Sequence, residues 1–334
     1  MLYDVIIVGG GPCGLAMGVE AARYGLSHII LEKGSLTESL RKYPRNMRFF
    51  STVDNISIGG LPFTIADFKA NRDEALQYYR KVAGYYGLNF QLFTAVETVR
   101  KLSNGLFEVD ASEGRFYRAK KVVLATGYFD FPRKLNIPGE KLGHVSHYYD
   151  EAYKYSFTDV VLVGGANSVV EAALELYRTD ARVTIIHRGD SFRKTVKYWL
   201  IPDVLNRIKE GRINVRFNSE VTEIEAGKIH IRNTGTGREE SLSADFVFLL
   251  TGYLPDESLL TRCGIELDPE TKIPVKDPET FETNVKGLYL CGTVTAGIFT
   301  EKVFIENGRE HAAAIADHII GRPPRKVNEL IERI

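Results

Sequence analysis

Two glycine fingerprints about 155 residues apart restrict this chain to folds that house two copies of one nucleotide-binding unit. The first runs from Asp4 through a Val/Ile run to Gly9-Gly10-Gly11-Pro12-Cys13-Gly14. The second runs from Asp159 through a similar run to Gly164-Gly165-Ala166-Asn167-Ser168-Val169. Each follows a β-branched run that reads as a buried parallel strand, and each opens a helical pattern, Leu15 to Arg23 and Val170 to Arg178. Gly9 permits a tight turn, Gly11 lets backbone N–H groups approach a pyrophosphate, and Gly14 allows close packing of helix on strand. In the second copy Ala166 and Val169 stand in for the second and third glycines, a looser match.

The residues closing the next apolar runs differ in charge. Glu32 follows Ile29-Ile30-Leu31, whereas His187-Arg188 follows the corresponding run in the second copy. A carboxylate accepts hydrogen bonds from ribose hydroxyls, and an arginine suits a 2′-phosphate. Two different dinucleotides are therefore expected, FAD at the first site and NADPH at the second. Candidate contacts are Gly9, Gly11, Pro12, Cys13, Gly14 and Glu32 for FAD, and Gly164, Gly165, Asn167, Ser168, His187 and Arg188 for NADPH.

The 334 residues suit about two domains, and 44% apolar with 26% charged residues is ordinary for a globular protein. A formal net charge of zero favours neither nucleic acid nor an anionic membrane as partner. The chain passes almost directly into its first strand, so no signal or transit peptide is expected, and no apolar stretch approaches the ~18 residues of a membrane span. Three widely spaced cysteines, Cys13, Cys263 and Cys291, argue against a disulfide framework or a metal site and fit a reducing cytoplasm.

Strand-like and helical runs alternate, so the fold class is α/β with two Rossmann-like dinucleotide-binding domains. Residues 106–110 and 115–118 read as a hairpin turning at Ser112-Glu113-Gly114 and leading into Lys121-Val-Val-Leu-Ala125-Thr126-Gly127. The second half repeats this order and ends at Thr251-Gly252, so both copies close on Thr-Gly-Tyr. A third strand-glycine passage, Gly287-Leu-Tyr-Leu-Cys291-Gly292, precedes a helical pattern from Glu301 to Ile320 and makes most sense as a return to the first domain. The expected division is an FAD domain of residues 1–128 and 253–334, with an NADPH domain of 129–252 inserted in it.

The fingerprints, Ala125-Thr126-Gly127, Gly164 to Ser168 with Glu171, and His187-Arg188-Gly-Asp-Ser-Phe-Arg193 resemble the two-dinucleotide-binding flavoprotein reductases of thioredoxin-reductase size. The last matches the H-R-x-x-x-x-R pattern by which such enzymes choose NADPH, with Arg188 and Arg193 clamping a phosphate that NADH lacks. The resemblance also implies Lys33, Val96, Ala125, Thr126 and Gly127 at the FAD site, with Thr251 and Gly252 completing the cofactor contacts. Where the family places Gly-Asp on the ribityl chain, this chain has Gly292-Thr293. A helix starting near Glu301 is placed like the family helix that points at the flavin, with Lys302 as a candidate added charge.

No cysteine lies between Cys13 and Cys263, so the redox C-x-x-C of thioredoxin reductases is missing and no dithiol relay is expected. More closely, the chain resembles the bacillithiol disulfide reductase family. The carrying features are the cysteine within Gly9 to Leu15, Phe49-Phe50-Ser51, Ile58 to Phe63, Thr251-Gly252-Tyr253-x-Pro255-Asp256, and Ile305-Glu306-Asn307-Gly308-Arg309. That resemblance implies an NADPH-dependent FAD enzyme reducing the disulfide of a low-molecular-weight thiol, with Cys13 as its candidate thiol. The partners expected are this small molecule and further copies of the chain.

Two routes stay open at Cys13: attack by its thiolate on the substrate disulfide, or direct delivery of electrons from the flavin with Cys13 a bystander. Residues 41–48 carry four cations among aromatics, which would suit an anionic disulfide but more readily fits a solvated loop or one contacting FAD phosphates. His144 and His147 are candidate proton donors or plain linker residues. Rival functions are a flavin-dependent monooxygenase and a ferredoxin- or flavodoxin-NADP reductase.

Overall fold

The computed structural model describes residues 1–327 and separates into two compact units. One holds residues 1–42, 47–131 and the chain from 253 onward, and the other holds 43–46 and 132–252. The inserted stretch thus begins after 131 and ends before 253.

In the first unit β1 (Leu2–Val8) leads through the glycine turn into α1 (Pro12–Arg23) and β2 (His28–Leu31). Short helices α2 (Glu38–Arg41) and α3 (Val53–Ile56) precede α4 (Arg72–Tyr85), which opens on a capping box between Asn71 and Glu74. Strands β3 (Phe90–Gln91), β4 (Val96–Lys101), β5 (Phe107–Ala111) and β6 (Arg115–Leu124) complete the first passage. Val5 to Val8 are all buried, as a parallel strand covered on both faces requires. The sheet order is β3-β2-β1-β6-β5-β4, with β1, β2 and β3 parallel and β4-β5-β6 an antiparallel meander. The sequence pattern separates the hairpin from the Val122-Val123-Leu124 run, whereas β6 is one ten-residue strand. Its first half pairs with β5 and its second half, on the same side, pairs with a late strand described below.

The second unit repeats the central plan. Strand β7 (Val145–Ser146) is followed by β8 (Asp159–Val163), α5 (Asn167–Tyr177), β9 (Arg182–Ile186), α6 (Ile201–Lys209) and β10 (Ile213–Arg216). An antiparallel sheet of β11 (Ser219–Glu225), β12 (Gly227–Asn233) and β13 (Glu239–Ala244) precedes β14 (Phe246–Leu249), which completes a parallel sheet ordered β10-β9-β8-β14-β7. Here the strand equivalent to β6 is broken at Asp245, whose N–H donates to the Asp159 carbonyl while its carboxylate accepts from the Asp159 N–H. Ile224, Ile229, Ile231 and Ala244 of the small sheet pack on Val161, Val163 and Leu249 of the large one. The Arg133 N–H donates to the Gly252 carbonyl at 2.9 Å, so the two ends of the insertion lie side by side within their own unit.

Back in the first unit, α7 (Glu257–Arg262) leads to β15 (Leu288–Leu290), which pairs parallel with the end of β6. Helices α8 (Ile305–Gly308) and α9 (His311–Ile319) follow, and α9 packs on α1. The helix expected from Glu301 thus starts later and is broken at Arg309-Glu310. The Asn307 side chain is the cause: its oxygen accepts from the Phe304 N–H and its amide donates to the Lys302 carbonyl, tying the preceding residues into a turn. Lys302 therefore stands exposed in that turn with its ammonium 4.5 Å from the Phe299 ring, not on a helix surface. Among the described residues no helix is long and apolar enough to cross a membrane.

Candidate functional site

The two glycine turns are built alike. Gly9 has φ +109°, and a Cβ there would fall 2.4 Å from the Ala125 carbonyl oxygen. A Cβ on Gly14 would fall 1.9 Å from the Gly9 carbonyl oxygen, so the first turn of α1 lies directly on the loop. Gly14→Ala is therefore expected to cost about 3 kcal/mol through overpacking and to lower bound-flavin absorbance together with the melting temperature. In the second unit Gly164 has φ +141° and a Cβ on it would meet the Leu250 oxygen at 2.6 Å.

Each turn is closed from the same side by the residue after the second strand. The Glu32 carboxylate accepts from the N–H of Gly10 at 2.6 Å and of Gly34 at 2.8 Å. The His187 ring covers Gly165, where a Cβ would lie 2.4 Å away. A later loop then returns to each glycine carbonyl, through the Thr37 N–H onto Gly10 and the Arg193 N–H onto Gly165. Burial raises the Glu32 pKa against the two backbone donors, whereas burial and the neighbouring Arg193 and Arg188 lower that of His187. His187 is thus held neutral while the two guanidiniums remain exposed beside it. Neither arginine takes a carboxylate partner among the described residues.

The first turn fits a dinucleotide. Among the described residues, nothing beyond its own chain neighbours lies within 4 Å of a Cβ built on Gly11, the N-cap of α1, and no side chain caps that helix end. The buried Thr126 hydroxyl has no hydrogen-bond partner among the described residues. Open backbone N–H groups at a helix N-terminus with an orphaned hydroxyl nearby are what a pyrophosphate-bearing ligand needs. In the second turn Ser168 is exposed at the start of α5. The Asn167 side chain is engaged from both edges, donating to the Thr195 carbonyl and accepting from the Lys197 N–H. Lys197 in turn pairs with Glu171. Asn167 thereby braces the loop that carries Arg193.

Cys13 is half-buried against two glycines. A Cβ on Gly292 (φ +78°) would lie 2.8 Å from its sulfur, and one on Gly308 would lie 3.1 Å away. These glycines leave the space that the thiol fills. Burial pushes the Cys13 thiol up to about 12, with the Arg309 guanidinium pulling the other way. Arg309 itself donates to the carbonyls of Asp54 and Ser57, and Glu306 accepts from the Ser51 hydroxyl. The Phe49-Phe50-Ser51 and Ile305-to-Arg309 motifs, distant in sequence, are therefore in contact.

Two further residues belong to this cluster without any sequence signal that places them there. Cys291, read as a solitary sulfur, lies beside Cys13: its thiol contacts the Cys13 carbonyl at 3.6 Å and the Gly308 carbonyl at 3.8 Å. His311 is buried, stacks on Phe281 with ring centres 4.0 Å apart, and accepts the Gly292 N–H on Nδ1 at 3.1 Å. Only the strand-glycine pattern at 287–292 points to this region, and it carries no information about which side chains meet there.

Other expected residues fall in varied places. Lys33 pairs with Asp130 at 2.9 Å, and Lys42 shares that carboxylate at 3.0 Å. Val96 is half-buried on β4, close in sequence to Thr94, whose N–H donates to the Glu32 carbonyl. The Thr251 hydroxyl donates to the Arg133 carbonyl, so it fastens the ends of the insertion. Thr293 is half-buried in the turn after β15. The cations of 41–48 are largely neutralised within the protein: Arg41 by Glu38, Lys42 by Asp130, Arg48 by Asp67. His147 is engaged by the Leu249 carbonyl and Glu140, which favours a bracing role.

The profile of the pyridine nucleotide-disulphide oxidoreductases matches residues 6–292. The chain belongs to that family. It is a flavoprotein oxidoreductase, and FAD and NAD(P)H are the cofactors of its class. It is 38% identical to the bacilliredoxin reductase Bdr of Bacillus subtilis (strain 168), over 95% of this chain and 97% of that protein. The solved bacillithiol disulfide reductase Bdr (YpdA) from Bacillus cereus superposes with a TM-score of 0.92 at 38% identity, covering 96% and 99% of the two chains. A ferredoxin–NADP reductase of Thermus thermophilus is 30% identical over 97% of this chain and 95% of that protein. The α/β fold with two Rossmann-like units, expected from the fingerprints, is that of this family.

Proposed function

We propose that this enzyme reduces a low-molecular-weight disulfide of the bacillithiol type with NADPH, in the cytoplasm. The carrying observation is a free thiol, Cys13, set in the dinucleotide turn itself and packed on Gly292 and Gly308. The 38% identity to Bdr proteins over nearly the whole chain supports the substrate class. In this reading residues 1–128 and 253–334 hold FAD, and 129–252 hold NADPH.

When bound, FAD would supply a two-electron store that accepts a hydride from NADPH and delivers the pair to a disulfide. The backbone N–H groups of the first turn bind the pyrophosphate, Thr126 offers its unpartnered hydroxyl, and Glu32 holds the turn closed through Gly10 and Gly34. Arg188 and Arg193 bind the 2′-phosphate of NADPH, near a neutral His187 that covers Gly165 of the glycine turn. Cys13 meets the substrate sulfur. Its thiol is protonated at neutral pH, so attack requires proton loss, and Arg309 is the nearby cation that favours the thiolate.

The test is NADPH oxidation followed with bacillithiol disulfide, cystine and coenzyme A disulfide. Slow basal consumption should give way to saturable, disulfide-dependent turnover with at least one of them. Cys13→Ser should lose that turnover while NADPH still bleaches the bound flavin. Rapid reduction of ferredoxin with no response to any disulfide would overturn this reading in favour of the activity named for the Thermus relative.

A further inference from the structure

The thiols of Cys13 and Cys291 abut the same backbone. Cys13 Sγ fills the space over Gly308 and Gly292, and Cys291 Sγ lies 3.8 Å from the Gly308 carbonyl oxygen and 3.6 Å from that of Cys13. Both are free, and the charge of one would be felt by the other. They differ in access: Cys13 is half-buried, whereas Cys291 is 1% exposed at the end of β15. The third cysteine, Cys263, is buried among Leu259, Leu260 and Ile265 in a separate cluster.

We propose that Cys13 and Cys291 are the attacking and resolving thiols of one redox pair, a dithiol assembled by the fold from positions 278 residues apart. This rests on the disulfide-reductase reading. Accessibility assigns the order. Cys13 sulfur bonds to one sulfur of the substrate R–S–S–R, the substrate S–S bond breaks, and the first R–SH leaves. Cys291 sulfur then bonds to Cys13 sulfur and expels the second R–SH. The protons of the two protein thiols end on the two products. The substrate gains two electrons and the pair loses two, and NADPH, the reductant of the proposed reaction, restores the dithiol. The glycines at 292 and 308 leave the volume that the Cys13 sulfur fills next to Cys291, since any Cβ at either position would occupy it.

The experiment uses purified holoenzyme treated with one equivalent of cystine without NADPH, acid-quenched, unfolded and alkylated for mass analysis. One alkyl group out of three possible is expected, on Cys263, together with a Cys13–Cys291 cross-linked peptide. Addition of NADPH before the quench should restore all three. In Cys291→Ser the reaction should stop at a half-cystine adduct on Cys13. Three alkylated cysteines in the wild type, or a stable adduct on Cys13 with Cys291 alkylated, would overturn the pair. If disulfide-dependent NADPH oxidation persists in either of those cases, the reductase reading stands and only the pairing fails. An enzyme that consumes no disulfide loses both.

Discussion

Replacing Arg188 and Arg193 together by alanine is expected to remove nearly all preference for NADPH over NADH. Both guanidiniums are exposed next to the glycine turn of the second unit, and the Arg193 backbone is pinned to Gly165 by a 2.9 Å hydrogen bond. Asn167 and the Lys197–Glu171 pair hold the rest of that loop. Hydrogen bonds to a charged phosphate contribute about 1.5–3 kcal/mol. Loss of about 3 kcal/mol corresponds to a fall in kcat/KM for NADPH of ~100-fold. With NADH, which has no phosphate to lose, kcat/KM should barely change. The side-by-side rates decide the matter: equal losses with both cofactors would mean that the arginines hold the loop and do not read the phosphate.

The second large effect is on acid stability. Burial, with a smaller push from Lys276, lowers His311 from the usual histidine range near 6.5 to about 3. Its Nδ1 is the acceptor for the Gly292 N–H, which keeps the ring neutral. Because the folded-state pKa lies below the unfolded one, the unfolded chain gains a proton first as pH falls. Stability from this residue is therefore complete above about 6.5 and is lost progressively as pH falls toward 3, at up to ~1.4 kcal/mol per pH unit. His311→Gln retains an acceptor but has no ionisation in this range. Denaturant titrations between pH 7 and 4 should show a steeper decline for the wild type than for the variant. Parallel slopes would show that His311 titrates as it does in an unfolded chain.

The parts of the fold that sequence reveals are those with local causes. Glycines 9, 11 and 14 and the runs before them specify strand, turn and helix within a dozen residues, and the structure follows them. The return to the first unit at Gly287–Gly292 is legible because the same strand-glycine pattern recurs. Details set by one distant hydrogen bond are not. The late start of α8 depends on Asn307 reaching back to Phe304 and Lys302, and the break before β14 on Asp245 pairing with Asp159.

The candidate site divides in the same way. Glu32, His187 and Arg188 follow their strands at fixed offsets, so spacing locates them, and the packing of Glu32 and His187 on Gly10 and Gly165 is visible only in three dimensions. Cys291 lies in plain view as a residue, but its distance along the chain hides its neighbour. Parallel pairing of β15 with the end of β6 is what carries it to the glycine turn. His311 reads as one polar residue in an alanine-rich helix, with nothing to mark it as the acceptor for Gly292. The cations at 41–48 show the same limit from the other side, because a charge run reveals neither Glu38, Asp67 nor Asp130 as its partners.

Strand β6 must wait for its last neighbour. During synthesis the ribosome completes every residue of the inserted unit before it reaches β15, so the far half of β6 keeps an unpaired flank while the inserted unit already has its whole sheet. A chain ending between residues 253 and 287 would hold every strand of the second unit's sheet while the first unit keeps an open edge, the kind of edge that invites association with other chains.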